Sequence, residues 1–510
     1  MSNVQLQLER IHNLDQSHPR KNITILGAGT AGLVAAYEFE RLGHTIRIFE
    51  ASHRIGGRVW THRFSDNTYG ELGAMRIPLN HDYTRHYVNE MGLTLREFVS
   101  AHQNTECYYD IRNVQIRMKN VQASLYHLFN LSSKQYQDKK VPDMFGRTLI
   151  DVFDSLTEEE QASLMTSELA TQRLRELDHT SLQEFLENSA GYDTTKLIGS
   201  CTGIDSFFDR AITIFLREAI AQPGDRLDEI VGGMDLLPTK LGEKIKGKIE
   251  LNTQVTGIHR RDDGKTDIAI SRDKAEPSVE TCDIVLCTLP FTILRKININ
   301  PTFSHEKMEA IRKLGYSSSC KVLLHCSQRF WETKYGIVGG ASQTDQLIRA
   351  IYYSSDNAQE VETLQPSQDY STLHSGQRSS RIVPKSNQIS KGPGVLLGSY
   401  TWGQDARILG SLSEEERKNI VVRMISRFHP EIAETGMVDD YASIFWESYP
   451  WMAGGSFSFL LPGQQTTLYK YAVQAERNIH FAGEHCSLDN AWIQGAVISA
   501  LRAVEEIVVK

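Results

Sequence analysis

Three glycines and one acid carry the clearest chemical signal in the chain. In Ile23-Thr-Ile-Leu-Gly-Ala-Gly-Thr-Ala-Gly32 a short β-type run breaks into Gly27-x-Gly29-x-x-Gly32. The next strand-like run, Thr45-Ile-Arg-Ile-Phe49, ends on Glu50, 23 positions after Gly27. This spacing suits a dinucleotide. The first glycine allows a tight turn, the second lets the backbone approach a pyrophosphate, and the third lets the helix pack closely on the strand. The helix N-terminus offers free N–H groups to the phosphates, and Glu50 can accept from a ribose diol. The same glycines would also serve a plain βαβ turn. The strand before, the helix after and the acid at its distance favour the nucleotide.

Two further segments extend the signal. Arg54-Ile-Gly56-Gly57-Arg58 sets a second glycine pair and two arginines beside the phosphate-binding turn, which suggests more charge-assisted contacts to a pyrophosphate. A nicotinamide fold would not need them. Near the C-terminus His480-Phe-Ala-Gly483-Glu484 ends a strand on an acid, ahead of a helix from about Trp492. Glu484 could meet a ribityl or ribose hydroxyl, or it could merely cap that helix.

The elements that position these residues follow from the patterning. A first βαβ unit covers roughly residues 21–52, and residues 80–125 mix short helical and strand-like runs. From about 126 to 226 the pattern turns helical. Ser155-Leu-Thr-Glu-Glu-Glu160 offers capping hydroxyls followed by three acids, which suits a first helical turn. Leu169, Leu174, Leu177, Leu182 and Phe185 then recur at loosely helical spacing. Strand patterns return with Lys248–Ile258, read as a strand pair, and Asp283–Thr288, read as a buried strand. A second portion of the dinucleotide domain therefore follows the helical insert. Residues 354–392, rich in Ser and Gln and without apolar periodicity, read as a long mobile loop: a lid, a processing site or a decorative insertion.

At 510 residues the chain predicts two or three domains, with an ordinary globular composition of 40% hydrophobic and 23% charged residues. A net charge of −8 and the lack of a basic cluster argue against a nucleic-acid surface. Residues 1–22 hold no apolar segment of a secretory signal, and no apolar run approaches a membrane span. Seven cysteines, odd in number and without a CxxC pair, point to a reduced, cytoplasmic protein without a structural metal or disulfide framework.

Taken together, the glycine fingerprint, the 54–58 segment and Gly483-Glu484 resemble the flavin-containing amine oxidases over almost the whole chain, except for 354–392. The resemblance implies an α/β protein: a Rossmann-like, discontinuous FAD-binding domain (21–58, 233–315 and 465–510), a mixed α+β substrate-binding domain (59–125, 227–232 and 316–464) and a helical insert domain (126–226). It implies that Gly27, Gly29 and Gly32 lie at the pyrophosphate and Glu50 at the adenosine ribose. Arg58 and Glu484 would lie nearer the phosphates and ribityl chain. Val255 would present its backbone to the adenine, and Gly232-Gly233-Met234-Asp235 matches as well. Thr30, Ala31, Ala51, Met75, Arg76 and Trp492 are counted among the expected cofactor contacts.

Within that family Gly73-Ala-Met-Arg76-Ile-Pro78 looks like the motif of the L-amino-acid oxidase branch. There the arginine clamps the substrate α-carboxylate by two parallel hydrogen bonds, a geometry lysine cannot reproduce. Tyr400 aligns with a tyrosine that assists it. Trp492 matches an aromatic wall, and Ala491 the position whose carbonyl accepts from the substrate amine. Trp446 and Phe457 would complete an apolar enclosure, and Lys321 corresponds to a lysine that holds a water beside the flavin. Two departures matter. Ser456 stands where covalent members carry cysteine, so FAD is expected to be noncovalent. Where venom members place a histidine, this chain has Arg217 or Glu218, and Glu218 could meet a basic side chain or be a solvated helix acid.

The implied reaction is oxidative deamination of an L-amino acid with oxygen, yielding the 2-oxo acid, ammonia and hydrogen peroxide, in a homodimer or higher homo-oligomer. The rivals are an amino-acid 2-monooxygenase on the same fold, an amine or polyamine oxidase, and a non-catalytic FAD-binding interaction protein. A nicotinamide dehydrogenase fits least.

Overall fold

A computed structural model describes residues 3–15, 19–101, 103–120, 124–132, 141–221, 226–272, 276–362 and 380–509. Its centre is a five-stranded parallel sheet assembled from distant parts of the chain. Asn22–Leu26 lies between Thr45–Phe49 and Ile284–Cys287, with Lys248–Glu250 at one edge and Ile479–Phe481 at the other. Such a sheet must be covered on both faces. Helices Thr30–Arg41 and Ile493–Val508 pack together in one apolar cluster with strand residues Ile23, Ile25, Ile46 and Ile48. The helix Asn3–Asp15, which the patterning does not predict, joins the same cluster through Val4, Leu8 and Ile11. Their spacing of four and three residues puts them on one helical face, and each buried side chain contributes about 1.5–3 kcal/mol.

A second sheet of seven strands follows the order Val438–Phe445, Ser319–Cys326, Gly394–Trp402, Ala350–Tyr353, Ala341–Thr344, Tyr108–Ile111, Val114–Arg117. Ser319–Cys326 is buried along its whole length, since both neighbours are strands and both faces are covered. Helices fill much of 141–221: Val141–Asp154, Glu158–Leu164, Gln172–His179, Leu182–Ala190, Tyr192–Thr202 and Ile212–Ala221. The expected start near Ser155–Glu160 is a capping box, with Thr157 accepting from the Glu160 N–H and the Glu160 carboxylate accepting from the Thr157 N–H. Such a cap contributes about 1 kcal/mol.

Two readings need correction. Lys248–Glu250 and Thr253–Arg260 are both strands, but they do not pair with each other. The first extends the parallel sheet beside Thr45–Phe49, and the second opens a separate four-stranded sheet. The loop read over 354–392 holds regular structure at both ends. Ala358–Glu362 pairs antiparallel with Ser380–Pro384, and a short helix spans Asn387–Lys391. Asn357 ties these ends down, its Nδ2 donating to Glu332 Oε2 at 2.7 Å and to the Ser386 carbonyl at 3.2 Å. Residues 363–379 lie outside the described residues. All seven cysteines are buried and unpaired. Among the described residues no helix is long and apolar enough to cross a membrane, and no cluster of His, Cys, Asp or Glu could hold a metal ion.

Candidate active site

Strand Asn22–Leu26 runs into Gly27, whose φ of 103° lies where only glycine sits without strain. A Cβ on Gly32 would stand 2.1 Å from the Gly27 carbonyl oxygen, so strand end and helix approach without a side chain between them. Gly29 is different. A Cβ there would meet nothing within 4 Å, because the position opens onto a cleft of about 350 Å³. That is the size of an ordinary small-molecule site. Thr30 and Ala31 line the cleft at the first helical turn, and Glu50 and Ala51 line it at the end of the next strand. Glu50 is held in place: Ala28 N–H donates to one carboxylate oxygen at 2.8 Å, and Ser52 N–H and Oγ donate to the other at 2.9 and 2.7 Å. Val255 lines the same end.

The second glycine turn closes on the first. Gly29 and Gly56 form a parallel bridge, with Gly56 N–H donating to the Ala28 carbonyl at 2.8 Å. Arg54 braces this turn, where the sequence suggested a phosphate contact. Its guanidinium donates to the Gly57 carbonyl at 2.6 Å and lies 4.2 Å from the Trp60 ring centroid. Arg58 likewise has protein partners. Its Nη1 donates to Glu484 Oε1 at 2.6 Å and to the Ser456 carbonyl at 3.0 Å. Glu484 is 5% exposed and also accepts from Ser458 Oγ at 2.8 Å and Ala491 N–H at 2.9 Å. Burial alone would raise its pKa, but the Arg58 charge and these donors hold it below the usual carboxylate range. Both side chains still line the cleft.

Deeper in the cleft, Lys321 and Tyr400 are register partners on adjacent antiparallel strands, so both side chains project from one face. Lys321 Nζ donates to the carbonyls of Gly73 at 2.6 Å and Glu71 at 3.1 Å, and lies 3.3 Å from Met75 Sδ. Burial lowers the lysine pKa and raises that of the Glu71 carboxyl nearby. Trp446 is fixed by its indole N–H, which donates to the Leu72 carbonyl at 3.0 Å, and Phe457 lies on the wall with it.

Ala491 and Trp492 complete the wall. Ala491 has φ 68°, a left-handed conformation that costs a non-glycine residue about 1 kcal/mol or more and that marks functional sites. The Glu484 carboxylate holds it there by accepting its N–H. Trp492 Nε1 donates to Glu218 Oε1 at 3.4 Å, and the Arg76 guanidinium stands 6.0 Å from the Trp492 ring centroid. Burial raises the Glu218 pKa, although Trp492 and the charges of Arg210, Arg217 and Arg76 oppose the shift.

The structure thus brings together on one cleft most of the residues singled out from the sequence. Several lie off its lining, among them Arg217 and residues 232–235. Gly32 is packed against Gly27, Met75 touches Lys321, and Arg76 and Glu218 stand beside Trp492.

A model of the flavin-containing amine oxidoreductases matches residues 30–508. The chain belongs to this family. As an amine oxidoreductase it is a flavin enzyme acting on the CH–NH2 group. It is 32% identical over 502 residues to the flavin-dependent L-tryptophan oxidase RebO of Lentzea aerocolonigenes, across 96% of this chain and 98% of that protein. It is 31% identical to an L-amino-acid oxidase of Siganus canaliculatus, across 95% of this chain and 85% of that protein. Among solved structures it resembles putrescine oxidase bound to putrescine with a TM-score of 0.71, across 96% of this chain and the whole of that one. At 16% identity that likeness speaks for the fold alone. The cleft of this amine oxidoreductase fits a flavin nucleotide: Gly29 leaves the space a side chain would fill, and Glu50 is already oriented by backbone donors.

Sequence reasoning missed Arg210 and Glu71. Arg210 lies over Phe457 and is electrostatically coupled to Tyr400 and Glu218. Nothing in Phe207-Phe208-Asp209-Arg210 sets it apart from a surface turn, and only its burial reveals it.

Proposed function

We propose that the chain is an FAD-dependent L-amino-acid oxidase, binding the cofactor noncovalently. The observation that carries this reading is Arg76. Among the described residues no hydrogen bond or ion pair engages its guanidinium, yet it stands beside Trp492 and within the field of Tyr400. A cation without a protein partner at the edge of a substrate chamber is suited to a carboxylate that arrives with the substrate. The names of the relatives support the same class.

In this reading Gly27, Gly29, Thr30 and Ala31 hold the pyrophosphate, Glu50 and Val255 the adenosine end, and Arg58 with Glu484 the region between. The Ser456 hydroxyl donates to the Ser317 carbonyl at 2.6 Å and offers no thiol for a covalent link. Bound there, FAD would supply a two-electron acceptor that oxygen can regenerate, with hydrogen peroxide as the by-product. Arg76 and the Tyr400 hydroxyl hold the α-carboxylate, and the Ala491 carbonyl accepts from the neutral amine. Trp492, Trp446 and Phe457 exclude water around the Cα–H bond. The substrate loses two electrons and two protons, and water hydrolyses the resulting imino acid to the 2-oxo acid and ammonia. Lys321 holds a water on the cofactor side. Orienting the reacting bond in this way can lower the barrier by several kcal/mol, about 7–11 at most. The seven buried thiols suit a reducing cytoplasm, and the helical region is the proposed surface for a homodimer or higher homo-oligomer.

The test is anaerobic bleaching of the flavin by L-amino acids and by their decarboxylated amines. Bleaching by amino acids alone supports the reading, and bleaching by amines alone overturns it. Peroxide and 2-oxo acid as products, rather than amide and carbon dioxide, separate the oxidase from a 2-monooxygenase.

A further inference from the structure

Arg210 is 6% exposed, and its Nε and Nη2 are buried without a hydrogen-bond partner among the described residues. Among the described residues no carboxylate lies within ion-pair distance of it, the charges of Asp209 and Glu218 acting from farther away, and aromatic rings stand closest. The guanidinium carbon stands 3.8 Å from the Phe207 ring centroid, 4.4 Å from that of Phe459 and 5.4 Å from that of Phe457. Rings attract a cation but do not satisfy N–H donors, so buried guanidinium N–H groups remain costly until an acceptor arrives. Phe457 lines the cleft, and Tyr400 is charge-coupled to both Arg210 and Arg76. Two guanidinium groups therefore stand behind the wall of one chamber, Arg76 against Trp492 and Arg210 against Phe457.

Glu218 is an acid behind this wall, against Trp492. It accepts from the Trp492 indole and is surrounded by the charges of Arg76, Arg210 and Arg217, which leaves it poorly placed to receive a basic side chain. Arg217 looks elsewhere, donating to Gln465 Oε1 and interacting with Asp178 and Asp489. Arg217 also has a buried Nε and Nη2 without a hydrogen-bond partner among the described residues. Arg76 and Arg210, however, are the two whose charges act on Tyr400 of the cleft wall, and a substrate with two carboxylates would match that pair.

We propose that Arg210 receives the side-chain carboxylate of the substrate, so that acidic L-amino acids, aspartate and glutamate, are the substrate class. The inference rests on the oxidase reading, with Arg76 holding the α-carboxylate. Glutamate and glutamine have nearly the same shape, and their ratio isolates the charge. A charge-assisted hydrogen bond of this kind corresponds to about a ten- to hundredfold preference.

The experiment measures anaerobic flavin reduction in the purified holoenzyme by L-glutamate, L-aspartate, their amides, L-leucine and L-lysine. Binding of glutarate is followed in parallel through the flavin absorption spectrum. The expected result is reduction by one of the acids about ten- to a hundredfold more efficiently than by its amide. That ratio falls towards one in Arg210→Gln and is partly kept in Arg210→Lys, and glutarate binding weakens in the same order. If the variants do not fold, the wild-type ratio and the glutarate titration decide. Reduction by leucine or lysine in preference to both acids overturns the assignment of Arg210 and leaves the oxidase reading standing. So does an acid-to-amide ratio unchanged in Arg210→Gln. No reduction by any L-amino acid overturns both.

Discussion

Lys321 and Tyr400 stand opposite each other on adjacent antiparallel strands, with the lysine Nζ 4.3 Å from the tyrosine ring centroid. The ammonium also donates to the carbonyls of Glu71 and Gly73, so one side chain joins the seven-stranded sheet to the segment that carries Arg76. The residue proposed to hold water and the residue proposed to assist the carboxylate clamp share one rigid support. A shift in either strand would move both.

Lys321→Met should act in two ways. Two half-buried carbonyls lose a donor, which costs at most about 1–3 kcal/mol each and lowers the melting temperature. Reoxidation of the reduced enzyme by oxygen should slow by about 10²-fold, the lower range for a lost acid–base group, while anaerobic reduction by substrate changes little. Mixing reduced enzyme with oxygenated buffer measures this, and an unchanged reoxidation rate removes Lys321 from that step.

Arg76→Ala should lower kcat/KM for amino acids by about ten- to a hundredfold, the equivalent of a lost charge-assisted hydrogen bond. Arg76→Lys should recover little, since an ammonium cannot present two parallel donors. Steady-state kinetics with an amino acid and its decarboxylated amine provide the check. Equal losses on both would show that Arg76 supports the wall rather than the carboxylate.

Gly29→Ala and Gly32→Ala should part company. A methyl on Gly29 enters open space, so the apoprotein should keep its melting temperature while flavin affinity falls. A methyl on Gly32 meets the Gly27 carbonyl oxygen at 2.1 Å, and helix and strand must separate. Such overpacking costs about 1–3 kcal/mol or more before any cofactor is considered. Thermal melts of both apoproteins beside flavin titrations would reveal the difference, and equal melting temperatures would contradict it.

Glu484 makes folding stability depend on pH. Its pKa in the folded chain lies below the unfolded value, so its contribution is complete above the unfolded pKa and is lost as pH falls through the folded pKa. Urea unfolding from about pH 6 to about pH 3 should show this acid loss in the wild type and a shallower slope in Glu484→Gln. At neutral pH the same substitution leaves the partly exposed Arg58 with the Ser456 carbonyl but no carboxylate, and should cost less than the about 3–5 kcal/mol of a broken fully buried pair. A variant as stable as the wild type at neutral pH would mean that solvent supports Arg58.

The sequence by itself determined the nucleotide-binding end. Gly27, Gly29, Gly32 and Glu50 act through the backbone of one strand–turn–helix unit, and local spacing encodes such geometry directly. It also marked the capped helix at Thr157–Glu160 and the buried strand Ile284–Cys287, because capping and strand burial are local patterns. The pairing of Lys248–Glu250 and Thr253–Arg260 with different partners depended on register with strands about 200 residues and about 12 residues away, which periodicity does not carry. The tertiary structure alone decided how arginines were spent. Arg54 and Arg58 look alike in sequence, yet one braces a turn against Trp60 and the other pairs with Glu484, more than 400 residues on. Arg210 shows the same dependence most sharply: its meaning comes from three phenylalanine rings around it and from buried N–H groups that find no partner among the described residues. Burial and partnership are properties of packed neighbours, and a chain records them only when it folds.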